Sequence, residues 1–202
     1  MLKHKSFNKL LYSDNERKEF SESLKKENNN AVKYSKNLFS ELNNDFMKLF
    51  INKGIFIDTS VAYNFCVLYI DKSSSMDSFD FYKKAIQQVI SYSEKNNICI
   101  VFCLVTNSEY DQNLYDSILC SIQQELYIER KIQDYDIRTE YIKTITFLSM
   151  FDIYIMNTSE TEFWGWYLNY NYNYVPIYAK NELKESPYFS NIDNIKLNIS
   201  FI

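Results

Sequence analysis

This sequence predicts a three-layer α/β domain, Rossmann-like, with a mainly parallel sheet. Three observations lead there. From Gly54 onward, short apolar runs alternate with amphipathic stretches of helical length, the pattern of repeated βαβ units. The strongest run, NICIVFCLVTN (Asn97 to Asn107), is apolar on both faces, as a central strand covered by helices on each side must be. The chain has 202 residues with 46% hydrophobic and 24% charged side chains, which suits one soluble domain with a real core.

The elements divide at Gly54. Residues 1–54 read as a helical N-terminal arm and 55–202 as the α/β domain. In the arm, Ser13 or Asp14 caps a helix running to about Lys26, and Glu27 to Asn30 (ENNN) breaks it. A second helix carries Leu38, Phe39, Leu42, Phe46, Leu49 and Phe50 at three- and four-residue spacing, a single apolar face for packing on the domain. GIFIDTS reads as a short strand and Asn64 to Asp71 (NFCVLYID) as a buried one. Phe79 to Asn96 is an amphipathic helix, followed by the Asn97–Asn107 strand. Tyr110 to Arg130 reads as mainly helical, and Tyr135 to Met150 as a further helix. Phe151 to Asn157 is a strand and Glu160 to Leu168 a helix; a short strand follows at Val175 to Ala179, then a helix and an edge strand.

Composition excludes whole classes of chemistry. Glycine occurs only as Gly54 and Gly165, where average usage of about 7% predicts roughly 14. No glycine-rich phosphate loop exists, and turns fall to Asn, Asp and Ser. The single histidine, His4, rules out Ser-His-Asp, Cys-His and His-rich metal sites. Cys66, Cys99, Cys103 and Cys120 form no CxxC pair; Cys66, Cys99 and Cys103 lie in apolar, strand-like runs, and the plain reading is buried reduced thiols. A net charge of −4 argues against nucleic acid as a partner. No apolar run is long enough for a transmembrane segment, and the N-terminus lacks a secretory h-region. The expectation is a cytoplasmic protein, peripheral to the membrane at most.

In parallel α/β sheets, ligands bind beyond the carboxyl ends of strands. The candidate loops are Asp71 to Ser75, Thr106 to Asp111 and Asn157 to Glu162. At the last, a strand meets a helix N-terminus, a natural anion site. Equally, Ser159 as N-cap with Glu162 reaching back makes a capping box. Trp164, Gly165 and Trp166 shape a pocket or, at helical spacing, a core; Gly165 inside a helix suggests close approach to a neighbour. Asp71-Lys72-Ser73-Ser74-Ser75 resembles the metal-ion-dependent adhesion site of von Willebrand A-type domains, with Asp71, Ser73 and Ser75 as oxygen ligands of Mg²⁺. A solvated turn with Asp71 as hydrogen-bond acceptor is the plainer alternative.

The block FWGWYL (Phe163 to Leu168) resembles the WWGAWL-type block of bacterial galactoside α-1,2-fucosyltransferases. LSMFDIYIMNTS before it, LNYNYNYVPIYAK after it, and FYKKAI, FCLVTNS and CVLYIDKSSS upstream follow that family's order over roughly residues 64–182. The resemblance implies the donor-binding half of a GT-B-type glycosyltransferase, with GDP-fucose as donor substrate, a glycan acceptor and no other cofactor. It places the donor site at Asp71, Lys72, Ser73, Asn107, Thr158, Ser159, Glu160, Thr161, Trp164 and Gly165 and singles out no catalytic residue.

Departures bear on activity. The family's arginine pair falls on Asp71 and Lys72, so a charge reversal stands where a diphosphate would sit. The family's glycine-rich N-terminal block has no counterpart, so an active enzyme would need a partner chain to supply that half. The expectation is a weakened or inactive fucosyltransferase-like protein. The alternatives are a non-catalytic sugar- or protein-binding α/β module and the metal-dependent adhesion domain.

Overall fold

A computed structural model describes residues 62–106, 109–131, 137–157, 160–169, 175–186, 189 and 198–202, and scattered positions between 36 and 48. Strands β1 (Ala62–Ile70), β2 (Ile98–Thr106), β3 (Leu126–Lys131), β4 (Ile153–Met156), β5 (Ile177–Ala179) and β6 (Ile199–Phe201) form one sheet. Helices α1 (Phe79–Asn96), α2 (Gln112–Ile122), α3 (Ile137–Leu148) and α4 (Glu160–Tyr167) connect the first five strands, with 3₁₀ turns at Met76–Ser78 and Asn181–Glu185. The sheet order is β3-β2-β1-β4-β5-β6, and every pairing is parallel. This is the Rossmann-like order.

Alternation along the strands builds two cores. Cys66, Leu68 and Ile70 of β1, with Ile100, Phe102 and Leu104 of β2, pack beneath α1 and α2. Phe65, Val67 and Tyr69, with Val101, Cys103 and Val105, pack on the opposite face beneath α3 and α4. Strands buried on both sides lose the polar alternation of a half-exposed sheet, which is why β2 reads as a continuous apolar run. The register runs unbroken from Ala62↔Ile98 to Ile70↔Thr106, fixing which side chains meet each helical layer.

Asn and Asp make the turns that glycine usually makes. Asn97 takes φ 51 and ψ 48 at the end of α1, and its N–H donates to the Glu94 and Ser93 carbonyls. Asn tolerates this left-handed cap better than most residues. Asp111 caps α2, its Oδ1 accepting from Asn113 N at 2.9 Å and Leu114 N at 3.2 Å. Such a cap is worth about 1 kcal/mol.

One segment departs from the sequence-based expectation. The helix expected over Tyr110 to Arg130 stops at Ile122; Glu125 N donates to the Ile122 carbonyl at 2.8 Å, and Leu126–Lys131 becomes β3. Glu129, Arg130 and Lys131 are good helix formers, which hid the strand. The open edge of β2 decides the matter, pairing Val101↔Leu126 through Thr106↔Lys131. Tertiary pairing outweighs local propensities of a few tenths of a kcal/mol per residue.

In the arm, Lys36, Asn37, Ser40, Glu41, Asn44, Asp45 and Lys48 lie in helical backbone. Arg130 of β3 pairs with Asp45 at 2.8 Å and Glu41 at 3.6 Å, linking this helix to the sheet. The apolar arm positions expected at Leu38, Phe39, Leu42, Phe46, Leu49 and Phe50, the first arm helix and the GIFIDTS strand lie outside the described residues.

Candidate functional site

The strand order reverses between β1 and β4. From β1 the chain builds outward through β2 to β3, and from β4 through β5 to β6. A switch point of this kind opens a crevice at the strand carboxyl ends, where this fold class binds ligands. In this chain Asp71 follows β1 and Asn157 follows β4 at that switch point, and α4 starts just beyond Asn157.

Asp71 closes its own loop. Its Oδ1 accepts from Ser73 N at 2.9 Å and from the Ser73 hydroxyl at 2.5 Å, and its carbonyl accepts from Ser74 N at 3.0 Å. Lys72, Ser73 and Ser75 face solvent, whereas Ser74 turns inward. Of the three residues that the adhesion-site pattern singles out, Ser73 is therefore turned onto Asp71, and Ser75 is exposed.

Beneath that loop lies a buried polar cluster. Ser74 is 4% exposed, Tyr82 0%, Asn157 2% and Glu162 3%. Ser74 Oγ lies 3.5 Å from Tyr82 Oη. The Asn157 side chain hydrogen-bonds the Tyr82 phenol, and Asn157 N donates to Glu162 Oε2 at 3.2 Å. Burial, then the Glu162 carboxylate, push the Tyr82 phenol far above its usual value, while the Ser74 and Asn157 hydrogen bonds oppose this; Asp71 adds to the rise. The phenol stays neutral throughout the physiological range. Asn157 Oδ1, by contrast, is buried with no hydrogen-bond partner among the described residues.

Glu162 thus reaches back past the helix start to the end of β4, further than a capping box requires. Its carboxylate lies on the backbone N–H that follows β4, a donor that would otherwise be open to an anion. At ~5 Å and an effective dielectric constant of about 20, one such charge repels another by about 3 kcal/mol.

The aromatic block lies in the core. Trp164 and Trp166 are fully buried, as is Phe163, which makes ring contacts with Trp164, Trp166, Tyr167 and Phe189. Burying one tryptophan, roughly 200 Å² at about 25 cal/mol per Å², contributes about 5 kcal/mol as an upper bound. A Cβ added to Gly165 would lie 2.5 Å from Leu148 Cβ, so α4 presses directly on the end of α3. Tyr154 of β4 donates its hydroxyl to the Leu148 carbonyl, and Asn169 Nδ2 donates to the Phe151 carbonyl at 2.8 Å. These contacts fix the phase of α4 on the sheet.

The site-residue expectations sort themselves by place. Asp71 is half-buried at the end of β1 and Glu162 buried in the first turn of α4; Thr161 is half-buried beside it; Trp164 and Gly165 face the packed interior. Asn107, Thr158 and Ser159 lie outside the described residues, as does the side chain of Glu160. The sequence marks Asn157 only as the start of a candidate loop and gives Tyr82 no site role. Tyr82 lies within the apolar stripe of α1, beside Phe81 and one turn before Ala85 and Ile86. Its hydroxyl gains meaning only once α1 is laid beside the β4 exit.

No group of three or more His, Cys, Asp or Glu side chains able to hold a metal occurs among the described residues. Among the same residues, no helix is long and apolar enough to cross a membrane. No protein-family model matches the chain, and no curated protein matches it either.

Proposed function

We propose that this chain is a divergent relative of the galactoside α-1,2-fucosyltransferases, a Rossmann-like module that does not transfer fucose from GDP-fucose. The observation that carries this reading is the charge at the switch point. Asp71 follows β1 and Glu162 lies in the first turn of α4, the strand exit and helix start to which this reading assigns a sugar-nucleotide diphosphate, and Lys72 is exposed. Bidentate guanidinium recognition, the strongest protein device for a diphosphate, is replaced by repulsion. The parallel Rossmann-like sheet and the close packing of the FWGWYL helix support descent from a donor-binding half. A non-catalytic role, binding a glycan or a protein, follows from the same loss of phosphate recognition.

Calorimetry with GDP and GDP-fucose, in the presence of a chelator, tests the reading. Wild-type protein is expected to give no saturable heat in the micromolar range. Asp71→Arg, which exchanges repulsion for a bidentate donor, is expected to strengthen GDP binding at least tenfold. Micromolar binding by the wild type overturns the inactive assignment, and no gain in Asp71→Arg removes the donor-site lineage.

A further inference from the structure

We propose that the Ser74–Tyr82–Asn157–Glu162 cluster is a binding site for a hard cation of the calcium type. The inference goes beyond the fucosyltransferase-like reading and stands without it. All four side chains are at least nine-tenths buried and joined in one chain of contacts: Ser74 Oγ to Tyr82 Oη at 3.5 Å, Tyr82 to the Asn157 amide, and Asn157 N to Glu162 Oε2 at 3.2 Å. They offer a carboxylate, an amide carbonyl and two hydroxyls.

Asn157 Oδ1 is the independent pointer to a ligand. It is an acceptor in a residue 2% exposed, with no hydrogen-bond partner among the described residues. The same side chain hydrogen-bonds the Tyr82 phenol, which places its amide group beside the cluster. A buried amide carbonyl left unpaired costs about 1–3 kcal/mol. Cation coordination removes that cost.

Charge and space select the ligand. Glu162 is acidic, and Asp71 at the end of β1 contributes to the field on Tyr82, so an anion is repelled and a cation drawn in. An all-oxygen donor set selects a hard ion. Residues this buried leave little room for the water shell that Mg²⁺ retains, whereas Ca²⁺ accepts carboxylate, carbonyl and hydroxyl oxygens in irregular geometry. With one carboxylate inside, the affinity belongs to the weak class, ~10⁻⁴ to 10⁻³ M.

Terbium, a luminescent stand-in for Ca²⁺, tests the site in the full chain. Tyr82 is a proposed ligand and Trp164 lies two residues beyond Glu162, so excitation of either ring should sensitise the bound ion. Wild-type protein is expected to show saturable terbium emission, displaced by Ca²⁺ and at least tenfold less effectively by Mg²⁺. Glu162→Gln and Asn157→Ala are each expected to weaken Ca²⁺ binding at least tenfold, with native circular dichroism retained. Asp77→Ala, removing an exposed carboxylate of the adjacent 3₁₀ turn, should leave binding unchanged. Absence of saturable emission in the wild type overturns the proposal, whether or not the variants fold. Emission unchanged in both site variants places the ion elsewhere and overturns it equally.

Discussion

Gly165→Ala is a test in which two physical effects of opposite sign compete. In an exposed helix interior, alanine is favoured over glycine by about 1 kcal/mol. Here the added methyl would sit 2.5 Å from Leu148 Cβ and 3.3 Å from the Leu148 carbonyl carbon, well inside contact distance. The obstructing atom is fixed to the backbone and cannot rotate away. Leu148 is fully buried and its carbonyl accepts from Tyr154, while Trp164 and Trp166 hold α4 from either side of Gly165. Relief requires the two helices to separate, an overpacking strain of about 1–3 kcal/mol or more. A Cβ–Cβ approach of 2.5 Å puts the strain in the upper part of that range, about 2–3 kcal/mol, so net of the propensity gain we expect destabilisation by about 1–2 kcal/mol, a fall in Tm of about 2–8 °C for a domain of this size. Urea unfolding should show a lower midpoint with an unchanged slope. Truncating Leu148→Ala in the same background should not rescue stability, because the clashing Cβ remains. A Gly165→Ala protein as stable as the wild type, or more so, would refute the close approach of α4 to α3.

Two further expectations concern titration and reactivity. A thiol reagent should modify exposed Cys120 first. Half-buried Cys99, pushed up by burial and by Glu125, should follow more slowly, and Cys66 and Cys103, pushed well up by burial, only on unfolding; a rapid burst of three thiols contradicts this order. Asp152 turns its carboxyl onto the β1 backbone, accepting from Phe65 N at 2.8 Å, and burial of that carboxyl raises its pKa above the usual 3.8. The native state then keeps a proton that the unfolded chain has lost, so this contribution is complete below 3.8 and is lost as pH rises through the folded value. The stability of wild type relative to Asp152→Asn should therefore fall as pH rises from 3.8 and then level off in urea melts, and a difference that is flat or rises contradicts the assignment.

The fold was legible where periodicity and burial agree. β1, β2 and β4 read as apolar runs because helices cover both faces of the sheet, and α1 reads as amphipathic because only one stripe is buried. The scarcity of glycine pointed correctly to Asn and Asp as turn makers, as Asn97, Asp71 and Asp111 show. β3 was hidden because its last residues are helix formers and its strand character comes from the edge of β2. The cluster at the switch point was legible only in part. Asp71 and Glu162 lie at a strand end and a helix start, positions that sequence order marks. Tyr82 and Asn157 join them through contacts spanning 75 residues of chain, from positions 82 to 157, which no local pattern encodes.

Packing and site in this chain are two consequences of one helix placement. Glu162 and Gly165 lie three residues apart, hence on neighbouring sides of α4. Gly165 lets α4 approach the end of α3 by the width of a methyl group, on the same short helix that carries Glu162. The Glu162 carboxylate reaches Asn157 N at 3.2 Å, already near the long limit of a good hydrogen bond. A shift of a few tenths of an ångström outward would stretch that contact beyond useful range and loosen the Asn157–Tyr82 pairing behind it. Two buried tryptophans and a glycine therefore do more than fill the core. They hold a carboxylate at the one place in a Rossmann-like sheet where a ligand is expected, with the opposite charge preference to that of a phosphate site.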